Sequence, residues 1–138
     1  MNLDKPARPL AVTLTLWGVF LVGGWHAARA LALLAQQPAA AALAVHPAPG
    51  SRLALAVAWA VLFGGCGVAL WRKRPFTRRL IPILSALQAL VDVGLLILFG
   101  QSPLNQARWL WTASLFLGWV LFCTWALNRP AAAPYFDM

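Results

Sequence analysis

The sequence predicts an all-α integral membrane protein, a four-helix bundle made of two transmembrane hairpins with both termini on the cytoplasmic side. Three observations carry this. The chain has 138 residues, 62% of them hydrophobic and only 10% charged, which is too apolar for a water-soluble fold. It holds four apolar runs, residues 10–28, 53–71, 80–99 and 109–127, each close to the roughly 20 residues that cross about 30 Å of hydrocarbon. Its positive charge is gathered between the runs: the loop 71–79, WRKRPFTRR, holds Arg72, Lys73, Arg74, Arg78 and Arg79, five of the eleven basic residues.

Taken in order, the N-terminal flank carries two prolines, and Pro9 suits the first turn of the first span. Small-x-small patterns follow this span at Ala28-Arg29-Ala30 and Ala30-Leu31-Ala32, but the expectation is a retained anchor rather than a cleaved leader. Beyond Arg29 the helix is expected to run along the surface as far as Pro38. Residues 35–50 form an Ala/Pro-rich outer segment, too short to span, that should lie along the interface or over the helix ends. Ser51 reads as the N-cap of the second span and Thr77 as that of the third, where Pro82 falls near the first turn. Gly100 reads as a stop and Ser102-Pro103 as a restart, which makes spans three and four a tight hairpin. The fourth span ends at Asn128 before Pro130, and AAAPYFDM is a short tail with no recognisable address.

Orientation follows from the basic residues. Lys5, Arg8, the five of the loop and Arg129 fall on one side, against Arg29, Arg52 and Arg108 on the other. Eight against three places the loop and both termini in the cytoplasm, most simply of a bacterial inner membrane. The formal charge of +8 therefore points to anionic lipid headgroups rather than nucleic acid, with the loop cations as the headgroup- or partner-binding residues.

Helices in lipid associate through small residues and scattered polar contacts. Gly24 and Ala28 in the first span, and Ala56, Ala60 and Gly64 in the second, form stripes expected to close the first hairpin; Ser114 and Gly118 offer a weaker stripe on the fourth. Of eight tryptophans, Trp25, Trp71, Trp109, Trp111 and Trp125 lie near span ends, where indoles anchor at the headgroups. Trp17, Trp59 and Trp119 fall deeper, as gap fillers or the lining of a flat ligand's site.

One polar constellation lies within the spans. Asp92 is the single acid inside any of them, and Gln88 and Ser85 precede it on the same helical face. Counted from the cytoplasmic ends at about 1.5 Å per residue, Asp92 lies roughly 18 Å deep and His26 roughly 24 Å, so Asp92 is expected to pair with His26 or Arg29 or to hydrogen-bond Gln88. Haem ligation needs histidines on facing helices, and only His26 lies within a span. Cys66 and Cys123 sit in separate spans without metal or redox spacing, and no nucleophile, base and orienter are set together. No cofactor, metal or enzymatic activity is expected. The composition favours a non-catalytic accessory subunit packing against a larger membrane complex or against itself. A small oligomeric proton- or cation-coupled transporter or channel using Asp92 is the alternative, and a binder of a pigment or quinone the third.

Overall fold

The computed structural model describes residues 8–42, 48–99 and 103–136. Among them there are four long helices, α1 (Leu10–Ala42), α2 (Pro49–Trp71), α3 (Thr77–Phe99) and α4 (Pro103–Asn128), and no strand. A 3-10 turn over Pro130–Ala132 leads into a short α5 (Ala133–Phe136). Each long helix contains a segment long and apolar enough to cross a membrane. The described residues are thus all-helical, with four helices whose length and composition suit an integral membrane protein.

α1 packs along α2 and α3 along α4, and the two hairpins meet more sparingly through α1 with α4 and α2 with α3. Helix α1 has 33 residues, about 50 Å at 1.5 Å per residue, and so outruns a bilayer's hydrocarbon. It does not break at Pro38, which lies inside it. The proline forfeits one backbone hydrogen bond, and the alanines that follow have the highest helix propensity of any residue. The surface helix expected after Arg29 is therefore continuous with the span, as part of α1. Residues 43–47 of the outer segment, and the Gly100 stop with Ser102, lie outside the described residues.

Two expected caps take other roles. Helix α2 starts one turn earlier than Ser51, with Ala48 at the N-cap and Pro49 inside the first turn. The Ser51 hydroxyl donates to the Ala48 carbonyl (2.7 Å). The Thr77 hydroxyl likewise donates backwards, to the Arg74 carbonyl at 2.6 Å. Between these helices the chain turns through Lys73, whose φ of 58° is left-handed. The Lys73 N–H bonds the Leu70 carbonyl and the Arg74 N–H the Ala69 carbonyl, both at 3.0 Å. This is the Schellman ending, built here without its usual glycine.

The core gathers at the end of the bundle that carries this basic loop, hereafter the basic end. Val12, Leu16 and Val19 of α1 meet Phe63, Cys66 and Leu70 of α2, Ile81 and Leu84 of α3, and Cys123 and Leu127 of α4. The tail closes this end. Tyr135 and Phe136 are buried in the same cluster, the Tyr135 hydroxyl donates to the Leu70 carbonyl (2.9 Å), and Arg8 and Lys73 lie over its ring at 5.3 and 5.5 Å. Arg78 covers Phe136 (5.4 Å) while its Nε donates to the Leu127 carbonyl (3.1 Å), satisfying one acceptor that the end of α4 leaves open. A segment that reads as an idle tail is a plug.

Close approach falls on other glycines than the expected stripes. A Cβ on Gly23 would stand 3.3 Å from the Gly64 backbone nitrogen, and one on Gly67 would stand 2.8 Å from the Phe20 ring. A Cβ on Gly18 would overlap the ring of Trp119, so this glycine lets α4 lie against α1. By contrast Gly24 and Gly118 have open space at their Cβ positions, and Ala28 and Ser114 are exposed. Ala56 is buried, and Ala60 and Gly64 are half-buried. A Cβ on Gly64 would itself meet nothing within 4 Å, and on α1 the buried residues near the expected stripe include Val19, Gly23 and His26, Gly23 being one position before Gly24. Gly18→Ala is expected to lower stability by about 1–3 kcal/mol through overpacking. Gly24→Ala should raise it by up to about 1 kcal/mol, as alanine replaces glycine in an open helix position. Thermal unfolding of both variants in one detergent tests the contrast.

A candidate polar crevice between the hairpins

At the end opposite the basic loop the helices part. α1 and α3 finish here and α2 and α4 begin, and the space between them is a crevice of about 510 Å³ lined by residues of all four. Its polar lining is His26 and Arg29 from α1, Arg52 from α2, Asp92 from α3, and Arg108 and Thr112 from α4. The rest of the wall is apolar, chiefly Leu55, Trp59, Leu95, Leu96, Phe99 and Phe116. A pocket of this size, mostly apolar with a few convergent polar groups, has the form of a small-molecule site.

At the inner end of the crevice Gln88 joins α3 to α1. Its Nε2 donates to His26 Nε2 at 2.7 Å and to Asp92 Oδ2 at 3.4 Å. One amide NH2 has two protons, so a single Gln88 serves both acceptors, and His26 then carries its own proton on Nδ1. Gln88 (4% exposed) and His26 (1%) are buried, whereas Asp92 is half-buried at the crevice. Asp92 is one turn beyond Gln88, so its side chain follows the same face towards the opening. His26 is held from the other side by rings, stacked on Phe63 (6.4 Å, 9°) and tilted against Trp59 (6.4 Å, 42°). Among the described residues His26 Nδ1, Trp59 Nε1 and Ser85 Oγ are buried without a hydrogen-bond partner.

The structure therefore brings together Asp92, Gln88, His26 and Arg29 as one site, with Ser85 one turn deeper and fully buried. The connection between Asp92 and His26 runs through Gln88. What the sequence reading missed is the convergence of Arg29, Arg52 and Arg108. Counted there only as the sparse side of a charge bias, they line one crevice. The signal was present, since all three fall at the same ends of their spans.

The five loop cations divide. Arg72, Arg74 and Arg79 are exposed, and Arg79 lines a cleft of about 720 Å³ with Phe76, Leu80 and Ile83. Lys73 and Arg78 lie over the tail aromatics, and Arg78 lines the same cleft. The three deeper tryptophans do not converge. Trp59 is in the crevice wall, Trp119 covers Gly18 and stacks on Phe122, and Trp17 is 63% exposed on the outer face. Among the described residues no three His, Cys, Asp or Glu side chains gather as metal ligands.

Comparison with protein-family models, with curated proteins and with solved structures found no match, so the meaning of this crevice has to be read from its own geometry.

Proposed function

We propose that the protein is a small non-catalytic carrier of the bacterial cytoplasmic membrane, which holds a solute in the crevice between its hairpins. One observation supports this above others: the crevice is one-ended. It is walled by all four helices, carries Asp92 in its lining, and lies beside the packed core of the basic end. A continuous pore would need polar lining through that core, whose clustered residues are mainly apolar, with Cys66 and Cys123 among them, and which Tyr135 and Phe136 close. A site that opens to one side at a time suits alternating access, in which one hairpin rocks against the other. The sparing contact between hairpins, compared with the packing inside each, supports that division. With the basic end in the cytoplasm, the crevice faces outward.

Accessibility labelling tests this reading. Leu96→Cys, in the crevice wall, should react with a membrane-impermeant thiol reagent faster from the outer side, to which this state opens, than from the inner side, and added solute should protect it. Cys66 and Cys123 are both buried, which keeps the background low. Non-saturable ionic conductance of the native chain in planar bilayers would mean a pore and would sink the carrier reading.

A second reading has its own observation. On the outer face near the basic end, Leu16, Trp17, Phe20 and Trp71 line an apolar groove of about 510 Å³ with Arg8 at its edge. A helix of a larger membrane protein docked there would make this chain an accessory subunit. Purification of tagged protein in gentle detergent decides between the two. Stoichiometric larger partners favour the subunit, and protein that emerges with itself alone favours the carrier.

A further inference from the structure

The crevice lining has a sign. It contains three guanidiniums, Arg29, Arg52 and Arg108, and one carboxylate, Asp92, with the buried His26 accepting a hydrogen bond at Nε2. Around them are leucine and phenylalanine walls that hold little water, and a cleft with one predominant sign and low-dielectric walls concentrates counter-ions of the other. Cations are the wrong cargo for such a site. Arginine forks match the planar or tetrahedral oxygens of carboxylate, phosphate and sulfonate groups. Leu95, Leu96, Phe99 and Phe116, on the α3 and α4 side, offer apolar surface for the rest of the molecule.

Resting on the carrier reading, we propose that the crevice binds an amphiphilic oxyanion, with its charged head between Arg29 and Arg108 and its apolar body against α3 and α4.

The test uses the full chain in nanodiscs of phosphatidylcholine, titrated by calorimetry with decanesulfonate, whose charge is constant over the range used. Decyltrimethylammonium and decyl maltoside are the cationic and neutral counterparts, and inorganic sulfate is the head without a chain. Saturable binding of one decanesulfonate per chain is expected, with the cation and bare sulfate at least about tenfold weaker. The exposed pair Arg29→Gln with Arg108→Gln should lose about tenfold or more, as charge-assisted hydrogen bonds are removed, with an unchanged melting profile showing that the fold persists. Equal binding of the cationic probe, or an unchanged affinity in the double arginine variant, overturns the anion assignment.

Two further arms separate the possible failures. Thr112→Trp fills the crevice. If decyl maltoside binds and Thr112→Trp abolishes it while decanesulfonate does not bind, the carrier reading stands and the anion assignment falls. If no probe is lost on filling the crevice, both fall. Native mass spectrometry from nanodiscs containing phosphatidylglycerol distinguishes the sources of the head group: one retained lipid per chain, displaced by decanesulfonate and lost in the double arginine variant, identifies the ligand as a bilayer lipid. Decanesulfonate binding without a retained lipid identifies it as a soluble organic anion.

Discussion

Replacing Tyr135 and Phe136 together by alanine is expected to open the basic end of the bundle. Each is a nearly fully buried aromatic side chain, and truncating one such residue costs about 3–5 kcal/mol in a soluble core. The pair is a large share of the roughly 5–15 kcal/mol that separates folded from unfolded in a typical domain. The substitution also strands Arg8, Lys73 and Arg78, which lose the rings they cover, and frees the Leu70 carbonyl from the tyrosine hydroxyl. The expected readouts are a large fall in melting temperature and a sharp rise in the reaction of Cys123, buried in the same cluster, with a thiol reagent. Tyr135→Phe removes only the hydrogen bond, about 1 kcal/mol, and should leave Cys123 protected. Were the alanine pair to keep Cys123 as unreactive as in the native chain, the tail would be decoration rather than a plug.

Gln88→Leu is expected to have the largest effect on the crevice. It removes both bonds of one amide at once, leaving His26 Nε2 and Asp92 without the donor that joins α1 to α3. A buried acceptor left unmet costs about 1–3 kcal/mol, although hydrogen bonds between helices in membranes average only about 0.6 kcal/mol. The stability change should therefore be near the lower end, about 1 kcal/mol. The effect on ligand binding should be greater, about tenfold, since Asp92 and His26 lose their fixed positions. Calorimetric titration beside a melting curve separates the two quantities. Leu87→Ala, on the exposed neighbouring face of α3, is the control and should leave binding alone. Equal binding in Gln88→Leu and the native chain would reduce Gln88 to a packing residue.

Much of the architecture is legible one residue at a time because the bilayer imposes a length and a composition on any helix that crosses it. Three of the four apolar helical segments lie within a few residues of the expected runs, while the first, expected over 10–28, extends to Pro38. Asp92, Gln88, Ser85 and His26 stand out since polar side chains are scarce in them. Helix ends were harder to read. Ser51 and Thr77 have the right chemistry for caps, yet each donates to a carbonyl instead, as Pro49 and the left-handed Lys73 had already set where the chain turns. The glycine stripe was displaced from Gly24 to Gly23 and Gly18, because spacing along one helix does not reveal which of its faces the neighbour takes.

The sequence by itself thus determined the class of object: four apolar helices, a concentration of basic residues at one end, and one acid among the spans. Each of these depends on local composition, which no rearrangement of the helices alters. Only the tertiary structure decided that the tail returns to seal the basic end, that the opposite end stays open, and that three arginines from three helices share that opening with Asp92. These are properties of helix rotation and spacing. They are settled by whole-surface packing, in which Gly18 beneath Trp119 and His26 against Phe63 count for as much as any motif.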